Sequence, residues 1–431
     1  MAAIARAVAR NRSVRPFGSL LGLTNNGRPS RPGGARRSHI LKIFIVNMLR
    51  FLSAGESHGK ALVAIVDGFP AGVSIDTEQI NVELRRRQGG YGRGGRQKLE
   101  HDEVEILSGW WRGVSLGSPI ALMVANRDYK IERMDDLFRP RPGHADLAGS
   151  IKYLSSVRAV LERASARETA VRVAVGALAK QLLTPLGISV LGYVVGVGPV
   201  SVASGNGSLD ELRRRRDQSE LYTLDPSRDG ELKSLIDAAQ KTGNTLGGVI
   251  EVRVDGLPIG LGSHAHWDRK LDGRLAQAVM SVQAIKGVEI GLGFDLARRF
   301  GAEVHDPIEF DPRLIGERCL GFTRPTNNAG GLEAGITNSQ PLVIRAAKKP
   351  ISTLARPLPS VNLETLEPEI ASYERSDVCA VAAASCIVEN VVAFEIAAAL
   401  LEKFGGDSLA EIEAHWNSFY QLARRKVRPE A

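Results

Sequence analysis

The sequence predicts an α+β protein: one catalytic-sized body at residues 48–405, a helical tail at 406–431, and a basic extension at 1–47. Three observations predict it. Short apolar runs that read as strands interleave with longer segments carrying helix start and stop signals. No βαβ stretch carries a Gly-x-Gly-x-x-Gly turn, so nothing reads as a dinucleotide-binding parallel sheet. No internal repeat or flexible linker interrupts 48–431, which favours one compact unit, although 431 residues would allow two or three domains by length alone. The chain is 43% hydrophobic, enough for a large packed core.

Residues 49–52 and 60–69 read as two strands around the Gly55–Gly59 turn. Residues 61–66 are apolar at every position, which suggests a strand buried on both faces. Periodicity alone leaves a buried helix open there; the shortness of the run argues against one. Asp76-Thr-Glu-Gln79 is a capping-box signature, and the helix it opens runs to about Arg87, where Gly89-Gly90 ends it. A glycine-rich loop with Arg93 and Arg96 follows. Residues 104–107 and 120–124 read as strands. Ser165-Ala-Arg-Glu168 is a second capping box; its helix runs through Ala174, Ala177 and Leu178 to Leu183 and stops at Pro185-Leu-Gly187. Residues 188–197 are strand-like, and the polar stretch 201–246 predicts one or two surface helices. Further on come a strand at 247–254, a helix at 268–284 and a strand at 342–347. A long Ala-rich helix at 380–404 is closed by Gly405-Gly406.

The charge is unevenly placed. Residues 1–47 hold eight arginines, Lys42 and no acid, a charge of +9; the whole chain is +8, so residues 48–431 sum to about −1. An RNA-binding reading of the basic chain and its Arg-Gly loop therefore loses its electrostatic support. The extension is rich in Arg, Gly and Pro and lacks the apolar core and cleavage site of a secretory signal. It reads either as an organelle transit peptide or as an upstream start ahead of Met48. Without acids and with little apolar surface, it is expected to be disordered. Cys319, Cys379 and Cys386 are too few for a disulfide framework and match no zinc spacing, which fits a reducing, cytoplasmic setting. No uninterrupted apolar run reaches 18 residues, so no membrane span is expected.

Three blocks carry chemistry: Gly55-Glu56-Ser57-His58-Gly59, Arg139-Pro-Arg-Pro-Gly-His144-Ala-Asp146 and Arg375-Ser-Asp377-Val-Cys-Ala380. Two histidines and a carboxylate framed by arginines suggest proton handling on an anionic substrate. His58 sits in a glycine-bounded turn, where backbone can approach a ligand closely. Taken alone, His58 reads equally as a turn histidine in water, and Asp377 as a cap for the helix after it. Arg85 and Arg86 suit a helix C-terminus, but Arg93 and Arg96 in a glycine-rich loop suit phosphate or carboxylate. Ser165 caps a helix, and a helix N-terminus also attracts anions. His264 and His266 are not joined by a Cys or carboxylate cluster, so no metal is expected.

These blocks, in this order, resemble the bacterial chorismate synthases over residues 48–405. Arg87-Gln-Gly-Gly-Tyr-Gly-Arg93-Gly-Gly-Arg96, the run from Ser165 to Ala174 and Ala284-Ile-Lys-Gly-Val-Glu-Ile-Gly extend the likeness. The resemblance implies a β-α-β sandwich, assembled as a homotetramer. It implies an anti-1,4-elimination of phosphate from 5-enolpyruvylshikimate 3-phosphate, needing reduced FMN (FMNH2) without net redox change, with NADPH as a possible flavin reductant. It implies that His58, His144 and Asp377 are catalytic. Ser57, Arg87, Arg93, Arg96, Arg141, Arg167 and Arg375 would hold substrate. Arg163, Ala164, Ser165, Ala166, Gln283, Ala284, Ala334, Lys349, Pro350, Ile351, Ser352, Thr353 and Arg375 would line the flavin site. No nucleic acid and no membrane partner is implied.

The chain departs from the family pattern at Ala334-Gly335, where Gly-Gly is usual, at Asn338-Ser339, where Asn-Gly is usual, and at Gln283, where Pro or Asn is commoner. If position 334 has positive φ, alanine there costs on the order of 1 kcal/mol. A member that had lost catalysis would be expected to lack His58, His144 or Asp377, and all three are present.

Overall fold

The structure, a computed structural model, describes residues 49–94, 100–374 and 376–427. The basic extension, Arg96 and Arg375 lie outside the described residues. Two antiparallel sheets frame the body. The first holds β1 (Arg50–Ala54), β2 (Ala61–Asp67), β3 (Val104–Ser108) and β4 (Ile120–Ala125) in the order β1-β2-β4-β3. The second holds β5 (Ser189–Val197), β6 (Val200–Ser201), β7 (Gly248–Asp255), β8 (Ile285–Ile290) and β9 (Leu342–Lys348) in the order β8-β9-β7-β5-β6. The helices are α1 (Thr77–Gln88), α2 (Asp146–Tyr153), α3 (Val157–Ala164), α4 (Thr169–Leu183), α5 (Leu209–Gln218), α6 (Asp229–Lys241), α7 (Leu271–Met280), α8 (Val381–Phe404) and α9 (Leu409–Val427).

The layers follow from which faces are apolar. Leu62, Ala64 and Val66 of β2 and Ile120, Leu122 and Val124 of β4 point inward onto α4. Ile250, Val252 and Val254 of β7 and Leu342 and Ile344 of β9 form the matching inner face of the second sheet, on which α8 packs. α4 and α8 lie against each other between the sheets. The fold is thus α+β and has the sheet–helix–sheet order that the resemblance implies. Small residues let the layers close: a Cβ on Gly176 of α4 would stand 2.2 Å from the Asn390 carbonyl oxygen of α8. α8 is apolar enough and long enough to cross a membrane, but 89% of its most apolar window is buried, so it is the core helix. α9 joins the same core through Trp416 and Phe419, whose rings lie 4.9 and 5.7 Å from that of Phe404. The described residues form one compact unit.

Several local expectations change. β2 is covered on one face only: Ile65 is 50% exposed and Leu52 of β1 76%, because the outer face of the first sheet is apolar yet uncovered among the described residues. Asp76 caps α1 by accepting from Glu78 N, but its own N–H goes to Gln181 Oε1 of α4 and not to Gln79. Ser165 caps a 3-10 turn, Ala166–Glu168, before α4 begins. Glu168 accepts from Ser53 and Gln283 instead of reaching back to Ser165. In both places a tertiary partner displaces the local capping box. The helix expected at 268–284 is limited to α7, with a 3-10 turn before it and Ala284 at φ 68 after it. Asp377 does not cap α8, whose N-cap position is Ala380.

Candidate active site

A cleft of about 610 Å³ opens between the helical layer and the loops that join the sheets, within the size usual for small-molecule sites, roughly 300–1,000 Å³. His58, His144 and Asp377 reach it from three sequence-distant segments. The His58 turn is set by Gly55 at φ 112, where a Cβ would meet the Ala61 carbonyl at 2.4 Å. Glu162 of α3 then clamps the turn. Its Oε2 accepts from His58 N at 2.7 Å, its Oε1 stands 2.9 Å from His58 Nδ1, and its carbonyl accepts from Ser57 N at 2.9 Å. This carboxylate assigns the proton to Nδ1 and leaves Nε2 on the side of Asp128, 3.9 Å away, which also lines the cleft. Burial alone would raise the Glu162 carboxyl, but the hydrogen bonds from His58 outweigh it and hold it below the usual range.

His144 has the same kind of support. Its Nδ1 lies 2.5 Å from Asp146 Oδ1. Asp146, the first residue of α2, also takes Arg141 N and Nε at 3.0 and 2.8 Å. Burial opposes charge on Asp146, yet the bonds from His144 and Arg141 keep it well below the usual carboxylate range. Arg141 Nη1 continues to Thr353 Oγ1 at 2.9 Å, so the loop before α2 is tied to the 349–353 segment. Asp377 accepts from Arg93 Nη1 and Gly94 N, both at 2.6 Å. The Gly92 carbonyl accepts from Val378 and Cys379, which stitches the glycine-rich loop to the segment ahead of α8. Arg167 and Arg87 share Asp102: Arg167 Nη1 at 2.6 Å and Arg87 Nη1 at 3.2 Å. Burial brings the Arg87 guanidinium down to about 10, against the pull of Asp102 and with the push of Arg167 and Arg93.

Among the described residues, seven cations line the cleft (Arg87, Arg93, Lys130, Arg141, Arg167, Lys348 and Lys349) against four acids (Glu100, Asp128, Glu374 and Asp377). Asp102, Asp146 and Glu162 stand behind the lining, where they orient guanidinium and imidazole groups without facing the lumen. Such a cleft attracts an anion and offers oriented proton donors and acceptors.

The expected substrate group converges here: Ser57, Arg87, Arg93, Arg141 and Arg167 line the cleft. So do Ala164, Ser165, Ala166, Gln283, Ala284, Lys349, Pro350, Ile351, Ser352 and Thr353 from the expected flavin group. Arg163 and Ala334 do not. Arg163 is exposed and donates to the Gly55 and Ser53 carbonyls. Ala334 is exposed in the turn between the short strands Leu332–Glu333 and Ile336–Asn338. Its φ is 51, so the alanine strain expected for a left-handed position, on the order of 1 kcal/mol, falls on a hairpin turn away from the cleft.

Glu162, Asp146, Asp102 and Lys348 had no assigned role from sequence. Asp146 was visible only as the last residue of the His144 block. Lys348 had a signal: alternation along β9 puts it on the inward face with Leu342, Ile344 and Ala346, where a charge is out of pattern.

Fold and cleft together suit an enzyme that acts on a small molecule. The chain belongs to the chorismate synthase family, and so to the lyases. The sequence model of that family, described as chorismate synthase, matches residues 49–401. The chorismate synthase of Geobacter metallireducens is 55% identical over 391 residues, covering 88% of this chain and all of the relative. That of Desulforamulus reducens is 53% identical over 392 residues with the same coverage. A solved structure titled as a crystal structure of chorismate synthase superposes with a TM-score of 0.71 at 43% identity, covering 88% of this chain and 98% of that one.

Proposed function

We propose that this chain converts 5-enolpyruvylshikimate 3-phosphate to chorismate and inorganic phosphate by an anti-1,4-elimination that needs reduced FMN. One observation carries the reading. Two carboxylate-oriented histidines and one arginine-held carboxylate meet on a cation-lined cleft of ligand size. A proton leaves carbon, a C–O bond to phosphate breaks, and no net electrons are gained or lost.

The residues present fit a flavin. Gln283 donates through Nε2 to Glu168, and its buried Oε1 has no partner among the described residues, which leaves an acceptor for a ring N–H. Ala284 at φ 68 turns its backbone next to it, and Lys349 and Ser352 add donors from the same side. Gln283, Ala284 and the 349–353 segment would hold the ring, with Ser165 and Ala166 at the adjoining wall. Reduced flavin, when bound, lends electron density transiently while phosphate departs.

The chain supplies the rest. His58 gives a proton to a leaving phosphate oxygen from Nε2 when the ring is doubly protonated, an imidazolium that the Glu162 carboxylate at Nδ1 stabilises. His144, tied to Asp146, places a positive or hydrogen-bonding edge against the flavin ring. Asp377, kept oriented by Arg93 and Gly94, would take up, with the flavin, the proton that leaves carbon. Arg87, Arg93, Arg141 and Arg167, with Arg96 and Arg375, bind the substrate's phosphate and carboxylates. Flavin reduction by NADPH, a homotetramer, a cytoplasmic location, a dispensable extension at 1–47, a catalytic body at 48–405 and a tail at 406–431 belong to the same reading, on the strength of the family membership. The test is phosphate release from 5-enolpyruvylshikimate 3-phosphate without oxygen. Turnover with dithionite-reduced FMN is expected; full turnover with oxidised FMN and no reductant would contradict the reading.

A further inference from the structure

Lys348 is the last residue of β9 and lines the cleft, yet it has no role in the reaction described above. Its side chain continues the inward face of the second sheet, and the residue is 8% exposed. An ammonium taken that far from water needs hydrogen-bond partners or an opposite charge. Among the described residues its one hydrogen bond is a long one, 3.4 Å to the Lys349 carbonyl. The groups that act on it electrostatically are Asp377 and Cys379 ahead of α8, Arg93 of the glycine-rich loop, and its neighbour Lys349. None of them neutralises it. Asp377 is already engaged by Arg93 and Gly94. The Cys379 thiol is pushed up by burial and so stays protonated. Arg93 and Lys349 are like charges. Lys349 itself donates to the Gly143 carbonyl on the cleft wall.

We propose that Lys348 is an anion-binding residue of this cleft, whose ammonium receives an anionic oxygen of bound flavin or substrate from the β9 wall. The inference rests on the ligand reading above and adds to it a positioning residue outside the set implied by the resemblance. It has a consequence for protons. Burial lowers the Lys348 amine to about 8 from an ordinary 10.5. An arriving anion raises it again, so above that pH binding takes up a proton and weakens as pH rises.

The test compares wild type with Lys348→Met and Lys348→Gln in direct binding measurements. Oxidised FMN and riboflavin are followed by flavin fluorescence, and 5-enolpyruvylshikimate 3-phosphate by calorimetry. A weakening of at least tenfold at pH 7 is expected for one anionic ligand. In wild type the same ligand should lose roughly fivefold in affinity from pH 8 to 9, and this loss should vanish in both variants. FMN affected and riboflavin not would assign the flavin phosphate; both affected would assign the ring; substrate alone would assign the substrate. Unchanged affinity for FMN and substrate in folded Lys348→Met and Lys348→Gln, with normal wild-type binding, overturns the proposal and leaves the function standing. Wild type binding neither ligand overturns both.

Discussion

Arg86 and Arg87 are consecutive residues of α1 and both are buried, yet they serve two different charged regions. Arg86 faces the helical layer. It pairs with Glu83 and Glu389 at 2.6 Å each, while Lys180 reaches Glu389 at 2.5 Å and Arg216 reaches it at 3.3 Å. Glu389 Oε2 also accepts from Gly192 N of β5. This cluster is closed: burial opposes the charge on Arg86, but Cys386, Glu389 and Glu83 raise it well above its ordinary value. Arg87 faces the cleft, where burial lowers it to about 10. One region pairs its buried cations with buried acids without a ligand; the other lines its lumen with seven cations against four acids. The difference separates charges that fix the fold from charges that wait for an anion.

Breaking the open region should cost rate far more than stability. His58→Ala and His144→Ala are each expected to lower kcat by roughly 10²–10⁴, with a smaller effect on stability, because Glu162 keeps the His58 backbone N–H and Asp146 keeps Arg141 as partners. Asp377→Asn should fall in the same range with α8 intact, since Asp377 is not its cap. Steady-state kinetics beside thermal melts decide it, and near-wild-type kcat would remove that residue from the chemistry.

Breaking the closed region should do the reverse. Glu389→Ala leaves Arg86, Lys180 and Arg216 short of a partner inside the core and is expected to destabilise by about 3–5 kcal/mol. Urea denaturation measures this, and kcat per folded molecule should hold. A stable but inactive Glu389→Ala protein would erase the distinction between the two regions.

The pH dependence sharpens the contrast further. Lys348 has a folded value of about 8 against an ordinary 10.5, so between these the folded state binds fewer protons than the unfolded one and stability rises with pH. The cost of the buried ammonium, on the order of 3 kcal/mol, is fully present below pH 8 and fades toward 10.5. Lys348→Met should therefore melt higher than wild type at pH 7, with the gap closing by about pH 10.5. Glu162 and Asp146 run the other way. Their carboxyls are held low, so their stabilisation is full above about pH 4 and is lost as pH falls through the folded values. A Lys348→Met gap independent of pH would show that its ammonium is not strained.

The smallest effect concerns the extension. Deletion to Met48 should leave kcat and KM unchanged at about 0.15 M salt, where long-range steering by surface charge is screened. A large loss on truncation would make residues 1–47 part of the working structure.

Much of this was legible in the chain. Short apolar runs located the four strands of the first sheet and three of the five in the second, missing β6 and β8, and the glycine-bounded turns marked His58 and the Arg93 loop. What stayed hidden depends on contacts between distant segments. Glu162 is 104 residues from His58 in sequence and lies within an ordinary helical pattern. Asp102 sits in a polar stretch that reads as loop until Arg87 and Arg167 close on it. Both capping boxes were read locally, and in each a long-range partner took the bond, Gln181 at Asp76 and Ser53 at Glu168. β2 looked buried on two faces because its outward side is apolar as well, which composition cannot tell from a covered face.

The most direct test of the account counts products per flavin. With enzyme, limiting dithionite-reduced FMN and excess 5-enolpyruvylshikimate 3-phosphate under anaerobic conditions, phosphate and chorismate are measured while the flavin spectrum is recorded. The account predicts many equivalents of each product per flavin, in equal amounts, with the flavin still reduced at the end. One product per flavin, with the flavin left oxidised, would contradict it.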